Sequence, residues 1–273
     1  MNTEKAATDP FRKNNYFEIN PQYADDITWA STAKHQIDHI KETIPGKLEK
    51  RNLRINESKT EEDNIEQKGD EAWKECKVLG SLLGTEKDIN RRKILAIDAY
   101  KKLNSIFSSK KNSIKIKLRT FNAYVASVFL YNSELWTLTT KLENTIDTFQ
   151  RRHLRKILGI NWQRNITKNE LYVRTKCEPW SEIIKERRLK WLGHLMRLHP
   201  EAPAWKTLEE YLGKVKRPQG RPKTTWMQTV RQDLASIGIQ LDLSKEAQTL
   251  NRLSELTQDR KNWRGIVRRV VQY

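Results

Sequence analysis

Beyond residue 87 large apolar residues recur every three or four positions, and that spacing suits little other than helices. Leu95, Ala99, Leu103 and Ile106 form one stripe, and Ile114, Leu118, Phe121, Val125 and Val128 a second. Leu142, Ile146, Phe149 and Ile157 form a third. Side chains three and four apart share a helix face, so three consecutive helices of a bundle are predicted. A fourth runs through Ile184, Trp191, Leu195 and Leu198, with Lys185, Arg187, Arg188 and Lys190 around it and Pro200 and Pro203 to end it. The last helix sets Leu253, Leu256, Trp263, Val267 and Val270 on one side and Arg264 and Arg268 on another. Lys214 to Lys223 is basic and broken by Pro and Gly, so it cannot be helical throughout. No internal repeat is visible.

The first third has a different texture. Ile27-Thr28-Trp29 and Lys77-Val78-Leu79 are short β-prone runs, and Ala33 to Leu48 is a helix candidate interrupted by Pro45-Gly46. Asn56 to Glu71 is polar and acidic, as an exposed loop or hairpin would be. The expected class is α+β, with short antiparallel strands and a helix over 1–86. A helical basic region over 87–198, a Pro/Gly basic linker over 199–225 and C-terminal helices over 226–273 follow.

Charge follows the same division. Residues 1–90 hold 14 basic and 18 acidic side chains, whereas residues 91–273 hold 38 basic and 16 acidic, so the whole positive excess lies in the helical part. Such asymmetry points to a polyanion-binding surface there and an acidic site elsewhere. On the third helix Arg151, Arg152, Arg155 and Lys156 share one arc, opposite Leu142, Ile146, Phe149, His153 and Ile157. With the apolar arc packed, the four cations form an outward ridge, and they repel one another unless an anion lies against them.

Several classes are excluded or disfavoured. Nine Trp, eight Tyr and six Phe are too many for a wholly disordered chain. The longest apolar run, Ala123 to Tyr131, is far short of the ~18–20 residues a membrane helix needs. The polar start from Met1 to Asn20 is unlike a signal peptide, and Cys76 and Cys177 make neither a CxxC pair nor a disulfide framework. An intracellular protein of nucleus or cytoplasm is expected, with no membrane partner. His194, His199 and Cys177 lack zinc-ligand spacing. Lys216 to Lys223 is similar to an AT-hook but has Gln219 where arginine is preferred, so it is read as a backbone-binding or nuclear-import stretch, with Arg217, Arg221 and Lys223 as the candidate contacts. Trp162, Trp226 and Trp263 stand beside cations, yet their apolar stripes assign most of them to the core rather than to base stacking.

Tyr23-Ala24-Asp25-Asp26 is the sharpest chemical signal: adjacent carboxylates at a tight turn can hold divalent metals for in-line phosphoryl chemistry. After it come Asn52-Leu53-Arg54-Ile55-Asn56-Glu57-Ser58-Lys59-Thr60-Glu61 and Trp73-Lys74-Glu75-Cys76-Lys77-Val78-Leu79-Gly80-Ser81. Further on lie Leu130-Tyr131-Asn132-Ser133-Glu134-Leu135-Trp136, Phe149 to Ile160, Arg188-Leu189-Lys190-Trp191-Leu192-Gly193-His194, Gly220-Arg221-Pro222-Lys223 and Asp259-Arg260-Lys261-Asn262-Trp263-Arg264. From about residue 20 onward, that order resembles the later palm, thumb and C-terminal region of reverse transcriptases encoded by non-LTR (LINE-type) retrotransposons.

The resemblance implies RNA-directed DNA polymerase chemistry with Mg²⁺ or Mn²⁺, an RNA template and a DNA primer or target. Asp25 and Asp26 would be the metal-binding catalytic pair, with Tyr23 beside the nucleotide or primer end. Lys59 would stand near the leaving pyrophosphate. Leu79 and Gly80 would lie on a primer-grip strand, and the helices after residue 87 would form a thumb holding template and primer. The family also needs a third aspartate from a strand upstream of YADD, and Asp9 lacks that context. The expectation is therefore a truncated palm that binds nucleic acid but is catalytically incomplete, completed, if at all, by a second chain. The run at 131–136 departs from the family's YGSETW pattern at Asn132 and Leu135. The alternative is a non-catalytic nucleic-acid-binding module.

Overall fold

The computed structural model describes residues 12–13, 16–19, 22–23, 26–31, 33–62, 71–161, 166–213 and 224–271. The chain divides into two compact units, Met1–Gly84 and Thr85–Tyr273. Short antiparallel strands in the first and helices throughout the second make it α+β.

In the first unit β1 (Arg12–Lys13), β2 (Tyr16–Ile19) and β5 (Ala30–Ser31) form one antiparallel sheet in the order β1-β2-β5. Between them β3 (Gln22–Tyr23) and β4 (Asp26–Ile27) pair as a hairpin. Helix α1 (Lys34–Glu49) runs unbroken through Pro45. The expected interruption at Pro45-Gly46 is absent, although proline removes one main-chain hydrogen bond there, and no residue of this helix is buried. A Schellman turn closes α1: Leu53 N–H reaches the Leu48 carbonyl and Asn52 adopts φ 58°. Strands β6 (Lys77–Val78) and β7 (Ser81–Leu82) make a second hairpin. Within 27–31, 33–62 and 71–84 of this unit Ala33 and Gly84 alone are buried, while Leu53, Ile55, Trp73, Leu79 and Leu83 are exposed.

The second unit begins with α2 (Thr85–Lys102) and the short α3 (Asn104–Ser108). Helix α4 (Ile114–Thr120) passes through a π-helical turn, Phe121–Ala126, into α5 (Ser127–Phe129). Then come α6 (Thr140–Ile157), α7 (Lys168–Thr175) and α8 (Trp180–Leu195). Last are α9 (Pro203–Gly213), α10 (Trp226–Ala235), α11 (Glu246–Gln258) and α12 (Arg260–Val271). Local chemistry sets the ends. Ser113, Thr139 and Thr167 cap α4, α6 and α7 with their hydroxyls, and Thr225 and Gln228 make a reciprocal capping box on α10. Helix α6 stops at Gly159, whose φ of 64° lets Ile160 N–H reach the Arg155 carbonyl.

Three sequence expectations change here. Pro203 does not end the fourth helix but opens α9, because the first helical position has no main-chain partner for an N–H to lose. Residues 203–213 of the expected 199–225 linker are therefore helical. The last helix is two helices, broken at Asp259, whose carboxylate accepts from Lys261 N–H at 2.7 Å and restarts the chain as α12. The α2 stripe is centred on the buried Ile89 and Ala96, with the expected Ala99 and Leu103 packed against the same core, and Phe107 rather than Ile106 is the buried residue of α3.

Two apolar cores result, and α8 runs through both. Trp180 and Ile184 belong to the first, with Phe121, Phe129, Trp136, Ile146 and Leu154. Leu189, Leu192 and Leu195 belong to the second, with Met227, Val230, Leu253, Trp263 and Val267. Arg188 sits at the changeover, fully buried, and reaches Asp233 of α10 at 2.6 Å. Sequence spacing set Arg188 among the cations around this helix; it is instead a fixed bond between helices.

Candidate nucleic-acid interface

The turn after α5 ties the helical unit together. Asn132 takes φ 55° and ψ 20°, a left-handed conformation that glycine adopts freely and asparagine tolerates better than most residues. That accounts for asparagine at a position where the resembling family has glycine. Ser133 is buried, and Trp136 Nε1 donates to Asp88 of α2 at 2.9 Å. Trp226 Nε1 at the start of α10 donates to the Glu134 carbonyl at 2.8 Å. Arg92, itself buried, stacks 4.6 Å from the Tyr131 ring centre. Leu135, the other departure, is exposed.

Helix α6 is held from one side by aromatic packing. The His153 ring lies 4.6 Å from Phe149 and 4.9 Å from Tyr100, and its Nδ1 faces the Phe149 carbonyl at 2.9 Å. Burial lowers its pKa, and the charges of Lys156 and Arg152 add to that against the carbonyl contact. Gln150 accepts from the Trp180 N–H and from the Tyr172 hydroxyl, and donates to the Glu178 carbonyl. Asp147 caps α8 through both Ser181 N–H and Ser181 Oγ. The rotation of α6 about its axis is thereby fixed.

That rotation corrects the expected ridge. Arg151 is only 8% exposed and turns inward, donating to Thr148 Oγ1 at 2.8 Å and approaching the Tyr172 hydroxyl. It lies next to Gln150 in the buried hydrogen-bond set, between Thr148 of α6 and Tyr172 of α7. Arg152 and Lys156 are exposed and Arg155 is half-buried, and these three remain outward. Among the described residues no ion pair is found for them. Arg217, Arg221 and Lys223 lie outside the described residues, as does the AT-hook-like segment.

A second cationic row escaped sequence reasoning in part. On α12 Trp263, Ile266, Val267 and Val270 are buried, while Arg260, Lys261, Arg264, Arg268 and Arg269 are all exposed. The 12-residue helix carries no carboxylate. Arg260, Arg264 and Arg268 follow one another at steps of four, a signal legible in the sequence once Asp259 is taken as the start of the helix. Arg197, just beyond α8, donates to the Thr257 carbonyl at 2.8 Å.

The candidate catalytic residues fall on separate short elements of the first unit. Tyr23 and Asp26 are partners across the β3–β4 hairpin. Asp25, between them, lies outside the described residues, as do the side chains of Tyr23 and Asp26. Lys59 ends an exposed 3-10 turn, Glu57–Lys59. Leu79 and Gly80 are not on a strand. They are the two central residues of the β6–β7 turn, with φ 46° and 77°, as the twist of a two-residue hairpin requires. Among the described residues no group of three or more His, Cys, Asp or Glu side chains could hold a metal, and no helix is long and apolar enough to cross a membrane.

No protein-family model and no solved structure matches the chain. A Caenorhabditis elegans protein described as transposon-derived and uncharacterized is 24% identical over 161 residues, 57% of this chain. The match spans about half of that relative's length, 55%. The chain is thus distantly similar to a transposon-derived protein.

Proposed function

We propose that this chain is the later palm and thumb-like region of a non-LTR retrotransposon reverse transcriptase, and that its helical unit holds nucleic acid by the phosphates. The observation carrying this reading is the outward trio Arg152, Arg155 and Lys156 on a helix whose opposite face is locked into the first core. A rigid row of cations facing solvent suits a polyanion, and binding to it releases counterions. The similarity to a transposon-derived protein supports the same origin.

Asp25 and Asp26 would supply two of the carboxylates for Mg²⁺ or Mn²⁺, which aligns a triphosphate with a primer hydroxyl in such enzymes. Lys59 would neutralise charge on the leaving group. Polymerisation also requires a third carboxylate, supplied by another segment or a second chain, so binding without synthesis is the expected behaviour of these residues alone. Primer extension on an RNA template, native chain against Asp25→Asn, tests this. Extension that vanishes in the variant would show a complete active site and overturn the expectation of incompleteness. Failure to retain template at low salt would overturn the binding reading itself.

A further inference from the structure

The α12 row differs from an ordinary solvated helix face in three ways. Its carrier is fixed, because Trp263, Ile266, Val267 and Val270 are buried in the second core and Trp263 Nε1 donates to the Leu189 carbonyl at 3.0 Å. Its charge is uncompensated within the helix, with five cations and no carboxylate over 12 residues. A sixth cation stands near it: Arg197 is anchored on the Thr257 carbonyl, and its buried Nε has no hydrogen-bond partner. Burial, and then the charges of Arg260 and Arg264, make Arg197 less basic than usual, so the arginines repel one another in the free protein. An anion laid across them would relieve that repulsion.

The length and composition of the row point to the kind of anion. Eight residues separate Arg260 from Arg268, about 12 Å at ~1.5 Å per residue. A duplex strand presents a phosphate every ~3.4 Å of its axis, so several phosphates fall within that span. Binding of single strands relies on exposed aromatic platforms, whereas the one aromatic residue of α12, Trp263, faces the core. We propose that Arg260, Lys261, Arg264 and Arg268, with Arg197, form a second phosphate-contact surface that grips the backbone of a nucleic acid duplex. This rests on the nucleic-acid-binding reading above but assigns a surface independent of α6.

The test is a salt titration of binding to a labelled 20-base-pair duplex and to the matching single strand. The full chain is compared with an α12 variant (R260Q, K261Q, R264Q, R268Q) and an α6 variant (R152Q, R155Q, K156Q). Loss of four phosphate contacts should lower the log–log salt slope by up to ~0.9 for each contact and weaken duplex binding at least ~10-fold at moderate salt. The all-lysine α12 variant (R260K, R264K, R268K) should keep the slope. Arg268→Gln alone, near the end of the helix, should lower the slope by about one contact and guards against misfolding of the quadruple variant. A native slope in the α12 variant, with a reduced slope in the α6 variant, would overturn this surface and leave the binding function standing. No duplex binding by the native chain would overturn both. Loss confined to the single strand would overturn the duplex assignment.

Discussion

Gly193 and Trp263 are in contact across α8 and α12. A methyl group placed on Gly193 would lie 2.2 Å from Trp263 Nε1, the atom that donates to the Leu189 carbonyl one turn earlier on α8. Two sequence blocks about seventy residues apart, one around Trp191-Leu192-Gly193-His194 and one around Asn262-Trp263-Arg264, are thus halves of one packing arrangement. Glycine is required there by the closeness of the indole.

Gly193→Ala should therefore cost about 1–3 kcal/mol, the usual range for overpacking a filled core, and more if the indole hydrogen bond breaks. Trp263→Phe makes room and has no N–H to lose, so the alanine should cost less in that background. Urea unfolding of the four proteins of this double-mutant cycle measures the coupling. Additive costs would show that the two side chains do not meet.

The Arg188–Asp233 pair supplies a second prediction. Both residues are buried, and burial raises the Asp233 pKa even though Arg188 opposes that shift. Two further nitrogens of Arg188, Nε and Nη2, lack partners. Removing one member leaves a buried charge uncompensated, so Asp233→Asn should destabilise by about 3–5 kcal/mol. Replacing both together, Arg188→Met with Asp233→Leu, should cost much less. Thermal unfolding distinguishes the two, and a double variant as unstable as the single one would count against the pair.

What the sequence revealed, and what it hid, follows from the range of the interactions involved. Helices were legible because Leu142, Ile146, Phe149 and Ile157 repeat at their own spacing on α6, whatever they pack against. The inward turn of Arg151 was not, since it depends on Tyr172 of α7, twenty-one positions away. Arg188 misled in the same way: a cation on an amphipathic helix is normally solvated, and only Asp233 on a distant helix brings it inside. The resemblance to a primer grip placed Leu79 and Gly80 on a strand, and the β-prone run Lys77-Val78-Leu79 agreed for Leu79 alone. The actual hairpin is so short that both residues are consumed by its turn. The α12 row was half seen, through Arg264 and Arg268, and became whole only when Asp259 was found to begin a new helix.

His153 makes stability depend on acidity in a stated direction. Its folded-state pKa is lowered, mainly by burial, so the unfolded chain binds the proton more readily. Its contribution is intact above the ordinary histidine value of about 6.5 and is lost as pH falls below that value toward the depressed one. Stability should decline as pH falls from neutral through the ordinary histidine range, and His153→Phe, whose ring suits the Tyr100 and Phe149 neighbours, should flatten the decline. An unchanged pH profile in the variant would assign the acid sensitivity to other groups.

The two kinds of cation on α6 should separate in one experiment. Arg151 is buried against Thr148 and Tyr172, so Arg151→Gln should lower stability by about 1–3 kcal/mol through the lost bonds of a charged donor. It should leave the salt dependence of nucleic acid binding unchanged. Arg152, Arg155 and Lys156 should behave oppositely: their combined replacement by Gln should leave the melting temperature nearly unaltered and reduce the salt slope by up to about three contacts. A reduced slope in Arg151→Gln with native stability would mean that the arginine faces the nucleic acid after all. Native affinity and slope in the triple variant would remove α6 from the interface, because a surface that gives up three charges without releasing counterions was not holding phosphate.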